Sequence, residues 1–178
     1  MLSSPNRVGQ NGQAMILYVI RHAWAEPSGD PRWPNDADRP LTAQGQERMA
    51  RVVQTLAARG VRPELVASSP LVRCRQTAEI VVHQGAGHSL LVEREELQPQ
   101  SDLKGMVAWT AREGEGREQV AWVGHAPDVG EMTAALIGQP GAAIHFAKGA
   151  VAAICFDGPP EIGRGELEWL VTAKILGC

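Results

Sequence analysis

The sequence contains no run of about 18 apolar residues, so no transmembrane helix is expected. Its first fourteen residues, MLSSPNRVGQNGQA, lack the apolar stretch of a secretory signal. They read as a flexible polar tail (1–14) ahead of a single domain over 15–178, and export is not expected. Cysteine is scarce: Cys74, Cys155 and Cys178 form no CxxC or CxxH pair. That argues against a disulfide framework and a zinc ribbon, and fits a reducing, cytoplasmic compartment. Cys74 and Cys155 are expected to be small buried apolar residues. There is no surplus of positive charge. The net charge is −3, so neither a nucleic-acid nor a membrane partner is expected, and any anion site must be local. There is no P-loop pattern, no HExxH and no carboxylate cluster of the two-metal kind, so no metal or cofactor is expected. Internal repeats and low-complexity linkers are also missing.

What is present suits one globular domain. The chain has 178 residues and is 44% hydrophobic, enough to build a core without staples. Met15–Ile20 (MILYVI) is a short continuous apolar run, the pattern of a strand buried on both faces. A long loop rich in Pro and Gly follows to Leu41, and long loops in compact domains are often functional. Thr42 is placed to cap a helix with Met49, Val52, Val53, Leu56 and Ala57 on one face, and Gly60 to end it. Glu64–Ala67 predicts a strand. Ser69 then reads as an N-cap and Pro70 as the first residue of a helix with Leu71, Cys74, Ala78, Val81 and Val82 inward. A break at Gly85–Gly87, a weak strand at Leu90–Val92, a helix over Asp102–Ala111 and a buried strand at Gln119–Val123 come next. Pro127 opens a further helix, and Ala150–Phe156 and Glu166–Val171 are strand-like and close enough in sequence to suggest an antiparallel edge. Strands alternating with helices predict an α/β fold, a three-layer α/β/α sandwich around a mostly parallel sheet.

Three predicted strands end alike. The first meets Arg21-His22, the second meets Ser68-Ser69-Pro70 with Arg73 one turn on, and the third meets Gly124-His125. Ligands of open α/β sheets bind beyond the carboxyl ends of the strands, where helix N-termini also favour anions. Two guanidinium forks and two imidazoles there suit a compact dianion such as a phosphoryl group. A neutral imidazole nitrogen is a competent nucleophile toward phosphorus. Each residue alone has a bland reading. Arg21 could be a surface ion-pair partner, His22 a backbone-bonded core residue and Arg73 a solvated cation; their coincidence at three strand ends carries the inference.

Val19-Ile20-Arg21-His22-Ala23 resembles the "RHG" motif of the histidine phosphatase superfamily, which includes the phosphoglycerate mutases. Arg39-Pro40-Leu41-Thr42-Ala43-Gln44-Gly45 resembles its "LTxxG" element, Ser69 to Ala78 its "SxLxRxxQTA" helix, and Gly124-His125 its "GH" motif. Among its branches the chain is similar to the SixA-type phosphohistidine phosphatases, in Arg39-Pro40-Leu41-Thr42 ("RPLT") and in Glu96-Leu97-Gln98-Pro99 ("ELxP"). The resemblance implies a phosphoglycerate mutase-like fold and a phosphatase in which His22 is the phosphorylated nucleophile. Arg21, Arg73 and His125 would be catalytic and hold the phosphoryl oxygens. Ala23 departs from the motif's glycine. No motif fixes a carboxylic general acid: Glu93, Glu95, Glu96 and Asp102 lie in the right stretch, and Glu96 is the choice among them.

Three functions compete. The first is hydrolysis of phosphohistidine on a phosphorylated protein substrate, through covalent phospho-His22. The second is a small-molecule phosphomonoesterase or phosphoglycerate mutase-like enzyme. The third is a non-catalytic phosphate-binding module, which would not need the nucleophile. Little sequence between Ala86 and Gln119 is left for a deep cap, which favours an open site and a macromolecular substrate. Trp24 and Trp33 in the long loop read either as a contact rim or as local cover for the sheet end. The sequence leaves the oligomeric state open.

Overall fold

The computed structural model describes residues 14–85 and 89–178. The expected tail, apart from Ala14, and the part of the Gly85–Gly87 break beyond Gly85 lie outside the described residues. The observed strands are β1 (Met15–Arg21), β2 (Leu65–Ser68), β3 (Leu90–Glu93), β4 (Gln119–Gly124), β5 (Val151–Phe156) and β6 (Glu166–Val171). The helices are α1 (Ala43–Ala57), α2 (Val72–Gly85), α3 (Leu103–Glu113) and α4 (Asp128–Leu136).

The strands form one sheet in the order β3-β2-β4-β1-β5-β6. The first four in that order run parallel, while β5 pairs antiparallel with β1 and β6 with β5. The fold is thus α/β with a mixed six-stranded sheet, and the last two strands form the antiparallel edge. The continuous apolar run of β1 is explained by its two buried faces. Tyr18 and Ile20 pack with Met49, Val52 and Leu56 of α1 and Cys74, Ala78 and Val81 of α2. Leu17 and Val19 pack in the other layer with Met106 and Trp109 of α3 and Val129, Met132 and Leu136 of α4. Each such large apolar side chain contributes roughly 1.5–3 kcal/mol on burial. The fully buried Trp122 also satisfies its indole N–H, which donates to Thr110 Oγ1 at 2.9 Å.

Thr42 caps α1 through Oγ1, which accepts from the Gly45 N–H at 3.0 Å, and Gly60 lies beyond the helix end at φ 90°. The start of α2 differs from the expectation. Pro70 lies before the helix, which begins at Val72, and the Ser69 hydroxyl is 3.4 Å from the Leu71 N–H. The hydroxyl also meets His125 Nε2, at 2.9 Å, so it serves both the turn between β2 and α2 and the rim of β4. Asp102 precedes α3 as its cap, accepting from the Gly105 N–H at 3.0 Å.

Neighbouring parallel strands β2, β4 and β1 end on the same side of the sheet. Arg21 is level with Gly124, and Ser68 with Val123. This register delivers Arg21-His22, Ser69 and Gly124-His125 to one rim.

Candidate active site

His22 follows β1 directly and its backbone stays in the sheet's hydrogen-bond pattern, with its N–H donating to the Gly124 carbonyl at 3.0 Å. The next residue is fastened by α2. The Ala23 N–H donates to Thr77 Oγ1 at 3.0 Å, and that hydroxyl donates to the Arg73 carbonyl at 2.7 Å. Gln76 does the same for the far end of the loop, its Oε1 accepting from the Leu41 N–H at 2.7 Å. Gln76 and Thr77 therefore clamp the two ends of the long loop onto α2. Gly45 completes the clamp. A Cβ there would sit 2.2 Å from the Trp24 carbonyl oxygen, so only glycine lets α1 abut the loop.

The His22 ring is 7% exposed. Its Nδ1 lies 2.8 Å from the Ala23 carbonyl, which can only accept, so Nδ1 carries the proton and donates. Burial pulls the His22 pKa from the usual 6.5 down to about 3, and His125, Arg73 and Arg21 push it the same way. The ring is neutral at pH 7, with its one proton on Nδ1 and a lone pair on Nε2. His125 faces it, ring centroids 5.4 Å apart, and is likewise lowered, to about 4, first by burial and then by Arg73. His125 Nε2 is held at 2.9 Å by Ser69 Oγ. Cys74 packs beneath His125, its thiol pushed up to about 12 by burial, and is an inert part of the floor.

Both arginines are anchored by main-chain carbonyls. Arg21 Nη1 donates to Phe146 O at 2.7 Å and Arg73 Nη1 to Asp36 O at 2.8 Å. Arg73 is only 4% exposed, and its Nη2 also meets Asp36 Oδ2 at 3.0 Å. In both side chains Nε is buried without a hydrogen-bond partner. Two buried cationic donors left unsatisfied describe a pocket built for an anion. Burial lowers the pKa of both guanidiniums, and beside Arg73 the Asp36 carboxylate pushes back. Among the described residues no group of three or more His, Cys, Asp or Glu is placed to hold a metal ion.

The carboxylates at the Glu93–Asp102 stretch are each engaged. Glu93 lies 3.7 Å from Arg75, Gln98 donates to Glu95, and Asp102 caps α3. Glu96, the expected acid, is paired with Arg94, which itself lies over the Trp109 ring. Beside the site runs a cleft of about 860 Å3, lined by Arg21, Pro127, Glu131, Ile144, His145 and Phe146. Of the two loop tryptophans, Trp24 packs against the α1 side of the core with Arg48 4.2 Å over its ring, which is local cover. Trp33 is half-buried.

The profile of the histidine phosphatase superfamily (branch 1) matches residues 17–146, which hold all of these groups. The chain belongs to the histidine phosphatase superfamily. An uncharacterised protein of Picosynechococcus sp. (strain PCC 7002) is 36% identical over 140 residues, covering 77% of this chain and 82% of that one. A 2,3-bisphosphoglycerate-dependent phosphoglycerate mutase of Parvibaculum lavamentivorans is 32% identical over 108 residues, 59% of this chain and 51% of the mutase. Among solved structures, the protein histidine phosphatase SixA complexed with tungstate superposes with a TM-score of 0.76 at 28% identity, covering 91% of this chain and 99% of that one. As a member of this superfamily the chain carries a phosphatase-type hydrolase site.

Sequence reasoning found the two imidazoles and two guanidiniums but not their supports. Asp36 and Ser69 gave no signal of touching Arg73 and His125. The carbonyls of Ala23 and Phe146 could give none, since any residue supplies the same group. No helix among the described residues is long and apolar enough to cross a membrane.

Proposed function

We propose that the protein hydrolyses phosphohistidine on a protein substrate through a phospho-His22 intermediate. The observation that carries this is the Nδ1–Ala23 tether on a neutral ring, which leaves the Nε2 lone pair as the reactive atom. In the first step Nε2 attacks phosphorus and the bond from phosphorus to the substrate nitrogen breaks. The electron pair stays on that nitrogen, and the substrate ring, protonated on its other nitrogen, leaves as neutral imidazole. Arg21, Arg73 and His125 receive the equatorial oxygens, and fixed charge does most of the catalytic work. In the second step water attacks phospho-His22, inorganic phosphate departs and Nε2 regains its lone pair.

The leaving group separates the substrate classes. An imidazole, with a pKa near 6.5, departs readily, whereas an alkoxide must be protonated as it leaves. The engagement of Glu93, Glu95, Glu96 and Asp102 by other partners supports the substrate that needs no acid. Likeness to SixA over nearly the whole chain supports it too. A second reading, a small-molecule phosphomonoester or mutase-type substrate, is favoured by the cleft beside Arg21, whose volume suits a small ligand and whose wall includes Glu131. Turnover on a panel of phosphohistidine protein, phosphoglycerates and sugar phosphates tests the two. A preference for an alkyl phosphate would hand the site to the second reading.

A further inference from the structure

Arg73 has five N–H groups in a rigid plane, which present two usable edges. The end edge comprises Nη1 and Nη2, and the side edge comprises Nε with the remaining N–H of Nη2. Asp36 meets both terminal nitrogens, its carbonyl on Nη1 at 2.8 Å and its Oδ2 against Nη2 at 3.0 Å. Nε, which belongs to the side edge and is buried in a residue that is 4% exposed, has no partner.

Asp36 is itself held. Arg39 Nε donates to its Oδ1 at 2.8 Å, and Arg39 Nη1 donates to the Glu26 carbonyl at 2.8 Å. Asp36 opens a single 3-10 turn over Asp36–Asp38, whose cap, Asn35, accepts from the Ala37 N–H and donates to Asp38 Oδ2. The trio Arg73–Asp36–Arg39 keeps one net positive charge, so the carboxylate does not cancel the pocket's attraction for an anion.

We propose that Asp36 is the positioning residue of Arg73: it grips the guanidinium by its end edge and turns the side edge to the phosphoryl oxygens. The Asp36 turn of the long loop is thereby part of the site through its hold on Arg73. An arginine side chain loses about 2 kcal/mol of rotamer freedom when it is fixed. Asp36 meets that loss before substrate arrives. Because Asp36 and the anion use different edges, both are bound at once.

This rests on the phosphatase reading, so the test has one arm that turnover does not enter. Tungstate affinity by calorimetry and kcat/KM on phenyl phosphate are measured for the wild type, Asp36→Ala, Arg73→Ala and the double variant. Asp36→Ala should weaken tungstate and lower kcat/KM by roughly tenfold or more, the scale of a hydrogen bond to a charged group. On the Arg73→Ala background the same change should cost less than about twofold, because its route is gone. Both variants keep the main-chain carbonyl, and Asp36→Asn, which also keeps a side-chain oxygen but not the charge, should fall between and serves if Asp36→Ala does not fold. Equal losses on both backgrounds would mean that Asp36 acts through the loop as a whole, and would overturn the proposal. Tighter tungstate binding in Asp36→Ala would overturn it as well, since Asp36 would then be a competitor of the anion. A wild type inert on every phosphate ester and phosphohistidine would defeat the phosphatase reading, while the tungstate cycle still decides the role of Asp36.

Discussion

His22 and His125 face each other with ring centroids 5.4 Å apart and planes inclined by 60°. Each is tethered by one nitrogen, His22 through Nδ1 to the Ala23 carbonyl and His125 through Nε2 to Ser69 Oγ. Neither ring carries charge at neutral pH, so the pocket's positive charge comes from Arg21 and Arg73. The imidazoles and the fixed cations are thus separate groups, so the proposed roles of nucleophile and electrostatic clamp are separable by mutation.

His22→Ala should abolish turnover yet leave tungstate binding within a few-fold of the wild type. The phosphoenzyme, a phosphoramidate, should be trapped by quenching at alkaline pH and located on His22 by mass spectrometry. Wild-type turnover in His22→Ala would refute the covalent mechanism.

The two imidazoles should titrate well below 6.5, near 3 for His22 and near 4 for His125, when followed by proton NMR of the free protein. Below about 6.5 the unfolded chain takes up protons on these rings and the folded one does not. Stability should therefore fall as pH drops from about 6.5 toward 4, and His125→Gln should flatten that slope. Resonances titrating near 6.5 would show the rings to be solvated.

Arg21→Ala and Arg73→Ala should each lower kcat by about a hundredfold, the scale for losing one preorganised donor. Arg73→Lys should recover only part, because an ammonium cannot offer two parallel N–H groups. Near-normal rates in both alanine variants would place the anion elsewhere.

β1 and β4 were legible because two-sided burial writes itself as apolar runs, whereas β6, an edge strand exposed over its first half, was legible from its alternation of charged and apolar residues. The meeting of Arg21, His22, Arg73 and His125 at one rim was legible because polar residues stand out where apolar runs end, Arg21-His22 and His125 at the ends of β1 and β4 and Arg73 in the first turn of α2 after β2. What escaped depends on atoms common to every residue or on distant meetings. The Ser69 hydroxyl looked like a helix cap, since the local pattern Ser-Pro says so. Its shorter contact, with His125, spans 56 residues and leaves no local trace. Asp36, in an exposed turn, carries no pattern that points to Arg73 across 37 residues.

Glu96→Gln should change phosphohistidine hydrolysis by less than about threefold, because Glu96 is spent on Arg94. Glu131→Gln should be equally mild on that substrate. A large loss on a sugar phosphate in Glu131→Gln, measured beside phosphohistidine, would give the cleft a protonating role and favour the small-molecule reading.

Gly45→Ala should destabilise the fold by about 1–3 kcal/mol, since its methyl would press on the Trp24 carbonyl. The expected readout is a drop in Tm of several degrees, at about 2–4 °C per kcal/mol for a domain of this size. An unchanged Tm would show that the loop gives way freely.

The main-chain anchor of Arg21 has a consequence for how the site tolerates sequence drift. Any amino acid at position 146 brings a carbonyl, so exchange of the Phe146 side chain leaves the anchoring group in place. The vulnerable point lies one helix away. A Cβ on Gly130 would stand 2.4 Å from the Ile144 carbonyl oxygen, so a side chain there would lever the strand of loop that presents residue 146. Arg73 is exposed in the opposite sense, because half of its hold is the side chain of Asp36. Drift at 36 would loosen one cation directly, whereas the other can be loosened only by displacing the backbone that holds it.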